Sequence, residues 1–182
     1  MRRLTLIRHG RPVIEPDLPA SAWELAADAV ADVRGLVEPV GTWFSSPEPK
    51  VLATARLLTG SDVTTVRDLR EAERTAVWME DPAEFHLAVR RAFADPDRVP
   101  VLGWEPLTMA RQRVVAAVRG LLAQTAGDVV LVGHGTAWTL LVADVTGNQP
   151  DLESWTHMRM PDVAALDISP DGSARLFRNW GA

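Results

Sequence analysis

The chain reads as an α/β protein, a three-layer α/β/α sandwich around a mostly parallel central sheet that finishes in a C-terminal β-hairpin. Three observations predict this. Strand-length apolar runs take turns with segments of helical periodicity; the two strongest runs, Leu4–Ile7 and Val129–Val132, each end in a histidine–glycine turn; and two short runs near the C-terminus flank a turn sequence. With 182 residues, 47% of them apolar and 24% charged, the composition is that of one globular domain covering residues 1–182.

Taken in order, Leu4-Thr5-Leu6-Ile7 is a short strand closed by Gly10, and a proline-punctuated loop follows to Pro19. Ser21-Ala22-Trp23-Glu24 has the form of a capping box, and Leu25, Ala29, Val33, Leu36 and Val37 recur at helical spacing until Pro39. Thr42–Ser45 is a second strand. Ser46-Pro47 then reads as N-cap and first helical residue of a helix ending near Gly60. Val63–Leu69 is the third strand, and a charged loop runs from Arg70 to Glu80. Asp81-Pro82-Ala83-Glu84 opens a helix toward Ala94, and after a proline-rich loop the spacing of Met109, Val114, Val115, Val118, Leu121 and Leu122 predicts a long amphipathic helix over 107–126. Val129–Val132 is the clearest buried strand. A helix to about Val145, a short one over 151–157, and a hairpin of Val163–Ile168 with Arg175–Phe177 complete the chain.

Charge and composition exclude several classes. Twenty-four acidic against nineteen basic residues leave a net charge of -5, which argues against a nucleic-acid binder with a clustered basic face. The absence of cysteine rules out a disulfide scaffold and a cysteine-ligated metal. The apolar run at Leu4 is broken by Arg8-His9, too soon for a secretory signal, and no stretch approaches a membrane span. The expectation is a cytoplasmic protein with no membrane partner and no cofactor. Oligomeric state has no signature in the sequence.

Chemistry enters at the ends of the two best strands. Leu4-Thr5-Leu6-Ile7-Arg8-His9-Gly10 and Val129-Val130-Leu131-Val132-Gly133-His134-Gly135 share one plan, an apolar strand delivering a histidine beside a glycine. Ligands of open α/β sheets bind at the carboxyl ends of strands, so both imidazoles are expected in one crevice. Arg8 beside the first histidine points to an anionic ligand.

These residues resemble the histidine phosphatase superfamily, also called the phosphoglycerate-mutase-like family. Arg8-His9-Gly10 matches its Arg-His-Gly signature. Ser46-Pro47, Lys50 and Thr54-Ala55 are similar to its Ser-Pro-x-x-Arg-x-x-x-Thr-Ala helix, Leu69-Arg70-Glu71 to its acid-bearing segment, and Gly133-His134-Gly135 to its second histidine. The four motifs follow in the family's order from Leu4 to about Leu141.

The resemblance implies a metal-independent phosphatase acting on a small-molecule phosphate ester. His9 is then the nucleophile that accepts the phosphoryl group, Arg8 grips two phosphate oxygens, and His134 donates to the phosphoryl oxygens. Glu71 protonates the leaving alkoxide and later activates water, for which its carboxyl must hold a proton near neutral pH. Lys50, the chain's only lysine, stands where the family usually has a second arginine, so charge is kept and the planar fork is lost. Arg11 is a further cation for the mouth of the site, and Glu73 is the rival to Glu71. His86 and His157 read as structural, and Trp78 and Trp104, in loops, are candidates to line the pocket.

The alternatives are a phosphoglycerate-type mutase, disfavoured because the loop 70–80 is short for a lid that shields a phosphoenzyme from water; a protein-phosphohistidine phosphatase; a non-catalytic phospho-ligand-binding module, to which Lys50 lends support; and a metal site of His9, His134 and Glu71, weakened by the adjacent Arg8.

Overall fold

The computed structural model describes residues 1–75 and 78–182. Six strands form one sheet in the order β3-β2-β4-β1-β5-β6. They are β1 (Arg2–Arg8), β2 (Thr42–Ser45), β3 (Thr64–Thr65), β4 (Val129–Gly133), β5 (Asp162–Ile168) and β6 (Ala174–Arg178). The pairs β2–β3, β2–β4 and β1–β4 are parallel, whereas β5 runs antiparallel to both β1 and β6. This is the expected α/β architecture with its C-terminal hairpin, and the sheet is mixed, with three parallel pairs and two antiparallel ones.

Successive residues of the inner strands pack on opposite faces, and β4 and β5 are buried throughout, as a sheet covered on both sides requires. Leu4, Leu6, Val129, Leu131 and Leu166 pack with Val114, Val118, Trp138 and Leu141 on one face, under helices α4 (Leu107–Gln124) and α5 (Gly135–Thr146). Ile7, Val130, Val132 and Val163 pack with Val33, Val51, Ala55 and Leu58 on the other, under α1 (Val30–Val33) and α2 (Pro49–Thr59). The remaining helices are α3 (Pro82–Ala94) and α6 (Leu152–His157), whose N-caps Asp81 and Asp151 accept from Ala83 N at 2.8 Å and Ser154 N at 2.9 Å. Among the described residues no helix is long and apolar enough to cross a membrane.

Three local expectations are corrected. The helix from Ser21 to Pro39 is reduced to two 3₁₀ turns and the four residues of α1. The cause is pairing with the loop after His9: Val13 N donates to Glu24 O and Ala26 N to Arg11 O, both at 2.9 Å, and Pro12 bridges Leu25, which holds 24–26 extended. The helix expected from Ser46-Pro47 starts at Pro49 instead, with Glu48 as N-cap and Gly60 in the left-handed conformation at its end (φ 71°). The third strand keeps only Thr64–Thr65, because the chain turns into a 3₁₀ helix at Arg67–Leu69 that seals Leu69 in the core. The loop expected over 70–80, and with it the argument about a lid, lies partly outside the described residues, at positions 76 and 77.

Candidate functional site

The register of β1 on β4 builds the site. Ile7 pairs with Val132 and Arg8 with Gly133, so one further step in a parallel ladder sets His9 beside His134. His9 N donates to Gly133 O at 3.0 Å and fixes that step. The two rings meet edge to face, with centroids 5.3 Å apart and planes at 69°. Strand β2 ends alongside, where Ser46 N donates to Val132 O at 3.0 Å. The site therefore lies at the carboxyl ends of β1, β4 and β2, as expected for an open α/β sheet.

His9 is buried and its Nδ1 lies 2.7 Å from the carbonyl of Gly10. A carbonyl only accepts, so Nδ1 carries the proton and Nε2 keeps its lone pair. Burial holds the imidazole well below its ordinary pKa, with His134 and the cations Lys50 and Arg8 adding to the effect against the opposing Gly10 hydrogen bond. His9 is thus a neutral imidazole with a bare Nε2.

His134, also buried, places Nε2 at 2.9 Å from Ser46 Oγ and 3.1 Å from Glu48 Oε1. Glu48 is a site residue that the sequence reading missed. Its carboxylate also accepts from Lys50 Nζ at 2.5 Å and from Glu71 N at 3.1 Å. Burial would raise its pKa, but His134 and Lys50, through charge and hydrogen bonds, hold it far below the usual carboxylate range. A carboxylate accepts only, so His134 donates through Nε2. The signal was available at the N-cap: a glutamate between two prolines at the start of the Ser-Pro-x-x motif is carried inward with Ser46.

Lys50 is buried in the site as the motif suggested, but its ammonium is committed to Glu48 and, at 2.6 Å, to Ala20 O. Glu71 sits at the start of α5, where its carboxylate accepts from Thr136 N at 3.1 Å, Ala137 N at 3.0 Å and its neighbour Ala72 N at 2.9 Å. This alters one expectation. Burial favours a proton on Glu71, but Arg74, then His134 and the amides of Ala72 and Thr136 outweigh it, and the carboxyl is held below its ordinary pKa. With its pKa lowered, Glu71 rests as a carboxylate. Glu73 is exposed, and its amide donates to Glu105 at 3.1 Å, away from the histidines.

Arg8 donates from Nη1 to Met158 O at 2.6 Å while its buried Nε has no partner among the described residues. Arg11 is exposed and paired with Asp28 at 2.6 Å, so its charge is already matched. Trp104 is buried against Phe85 and Arg74, and Trp78 packs edge to face on Trp23 at 5.2 Å. His86 and His157 are exposed and outside the cluster. Among the described residues no group of three or more histidines, aspartates and glutamates is arranged to hold a metal ion.

Comparison with known proteins agrees with this fold. No curated protein matches the sequence. The fold is shared with a phosphoserine phosphatase mutant from Entamoeba histolytica in complex with phosphoserine (TM-score 0.77, 14% identity, covering 100% of this chain and 98% of that one). It is shared also with the mycobacterial glucosyl-3-phosphoglycerate phosphatase (TM-score 0.73, 23% identity, 100% of both chains). Bacillus stearothermophilus YhfR is similar as well (TM-score 0.73, 19% identity, 97% of this chain and 95% of that one). The sequence model of the histidine phosphatase superfamily (branch 1) matches residues 4–181. With nearly its whole length inside that match, the chain belongs to the histidine phosphatase superfamily.

Proposed function

We propose that the protein hydrolyses a small phosphate monoester, without a metal, through a phosphohistidine on His9. The observation that carries this reading is the state of His9, neutral, protonated on Nδ1 against Gly10 O, and set edge to face with His134. The Nε2 lone pair attacks phosphorus as the ester P–O bond breaks, and the departing alkoxide takes a proton from Glu71. Water then attacks phosphorus, giving a proton to the Glu71 carboxylate as the P–N bond breaks. Orthophosphate leaves and His9 is neutral again.

Glu71 rests as a carboxylate, so it must take up a proton before it can act as the acid. A bound phosphate anion raises its pKa by charge repulsion, and the proton comes from the ester's own monoanionic phosphate or from solvent. Arg8 binds phosphate oxygens through the guanidinium hydrogens that Met158 O leaves open. His134 Nε2 donates to the phosphoryl oxygens once the ligand shares or displaces Glu48.

The phosphoserine bound in one similar structure, and the glucosyl-3-phosphoglycerate for which another phosphatase is named, are phosphate esters of hydroxylated acids, a class that supports the small-ester reading. One observation favours a second reading, a phospho-ligand-binding module: Glu48 already occupies His134 and Lys50. An assay with an aryl phosphate in excess chelator, comparing wild type with His9→Ala and trapping acid-labile phosphoenzyme, decides. Chelator-resistant turnover that disappears with His9 supports the phosphatase; no turnover and no trapped phosphoenzyme from folded protein leaves the binding module.

A further inference from the structure

The phosphatase reading needs a strong cationic grip on the phosphoryl group, and Lys50 does not provide one. Its ammonium is sealed inside the protein and held by Glu48 and Ala20 O, so at this position the pocket's positive charge is already neutralised. A different residue has the free donors. Resting on that reading, we propose that Arg74 is the second guanidinium that binds the phosphoryl group, acting with Arg8 at the first turn of α5.

Both arginines lie on consecutive residues of that turn. Arg74 Nη2 donates to Thr136 Oγ1 at 2.9 Å. Arg8 lies so close to Gly135 that a Cβ there would come within 3.4 Å of Arg8 Nε and 3.5 Å of its Cζ. Glu71 is bound by the Thr136 and Ala137 amides of the same turn. Among the described residues neither arginine has a carboxylate within salt-bridge distance, and each has a buried Nε without a partner. Glu71 is the shared counter-charge of the two neighbouring guanidinium groups, yet each keeps a buried Nε donor unfilled, and a phosphoryl oxygen can supply the missing acceptor.

The arginine is also held for the task. Its guanidinium carbon lies 4.9 Å from the centre of the Trp104 ring and 5.1 Å from that of Phe85. Its backbone is pinned by the bridge of Arg74 to Trp104, with Glu105 N donating to Glu73 O at 2.8 Å and Thr75 N to Gly103 O at 2.9 Å. A rigid planar fork loses little entropy on meeting phosphate. In the sequence this role is hidden, because Arg74 falls outside the motif in which the family usually carries its second arginine.

The test measures inhibition by inorganic phosphate, together with KM and kcat for an aryl phosphate, in wild type, Arg74→Lys, Arg74→Gln and the double variant Arg74→Gln/Lys50→Arg. Arg74→Gln is expected to weaken phosphate binding roughly ten- to a hundredfold. Arg74→Lys, which keeps the charge and much of the stacking, should fall between that and wild type. Phosphate affinity equal to wild type in folded Arg74→Gln overturns the proposal. If the glutamine variant does not fold, wild-type affinity and kcat in Arg74→Lys overturn it equally. Recovery of binding in the double variant supports it, because it shows that the loss is of a phosphate donor and not of a prop for Phe85 and Trp104. Failure of the wild type itself to bind phosphate or to turn over is a different result, and defeats the phosphatase reading.

Discussion

Glu48 reaches the imidazole of His134 at 3.1 Å, on the same nitrogen that contacts Ser46 and that a phosphoryl oxygen would need. A carboxylate inside an anion site repels the incoming ligand, and at an effective dielectric near 20 and a few ångströms this costs on the order of 2–4 kcal/mol before relaxation. Glu48→Gln keeps the shape and removes the charge. Inorganic phosphate should inhibit this variant at concentrations roughly ten- to a hundredfold lower than wild type. Weaker inhibition would mean that Glu48 chiefly orients His134.

His9 sets the acid limb of the rate profile. Its neutral form attacks, and the folded protein holds its pKa well below the ordinary 6.5. The rate of phosphoenzyme formation should therefore persist as pH falls through 6.5, and decline only at lower pH where Nε2 takes a proton. Single-turnover trapping from neutral pH downward checks this; a half-maximum near or above 6.5 contradicts the neutral-imidazole assignment.

Glu71 matters in proportion to how poor the leaving group is. An alkoxide needs its proton, whereas a nitrophenolate leaves without one. In Glu71→Gln, kcat/KM for an alkyl phosphate should drop by about 10²–10⁴, and phosphoenzyme formation from an activated aryl phosphate by far less. Equal losses on both substrates would place Glu71 in binding instead.

Gly133 is forced by packing. A Cβ at this position would lie 2.4 Å from Cζ2 of Trp138, a fully buried ring whose Nε1 donates to Ile7 O at 2.9 Å. Gly133→Ala must displace that ring or the strand end, and is expected to cost about 1–3 kcal/mol of stability. Denaturant unfolding measures the loss. Because the strand end carries His134, activity should decline as well.

Much of the architecture is legible in the sequence because it rests on local terms. The run at Val129 has no polar face and that at Leu4 is polar only at Thr5, so both read as inner strands, and Asp81 and Asp151 mark helix starts through their own side-chain bonds. The histidine–glycine turns follow from those strands. Where local terms lost, a distant partner won. Leu25 has the spacing of a helix, but the loop carrying Pro12 pairs with it and keeps it extended. Ser46 has the chemistry of an N-cap, but His134 takes its hydroxyl and the helix starts later.

The sequence by itself determined the layered α/β fold, the two strand-end histidines and Arg8, because periodicity and turn chemistry act between neighbours along the chain. Only the tertiary structure decided which charges face the site. It turned Glu48 inward to neutralise Lys50, sent Arg11 out to Asp28, moved Glu73 to the surface, and brought Arg74 beside Arg8 on α5. Whether a charged side chain is free or neutralised depends on which group lies within a few ångströms. For these residues that group comes from another element of the fold or from a turn of the backbone, which spacing in the sequence does not encode.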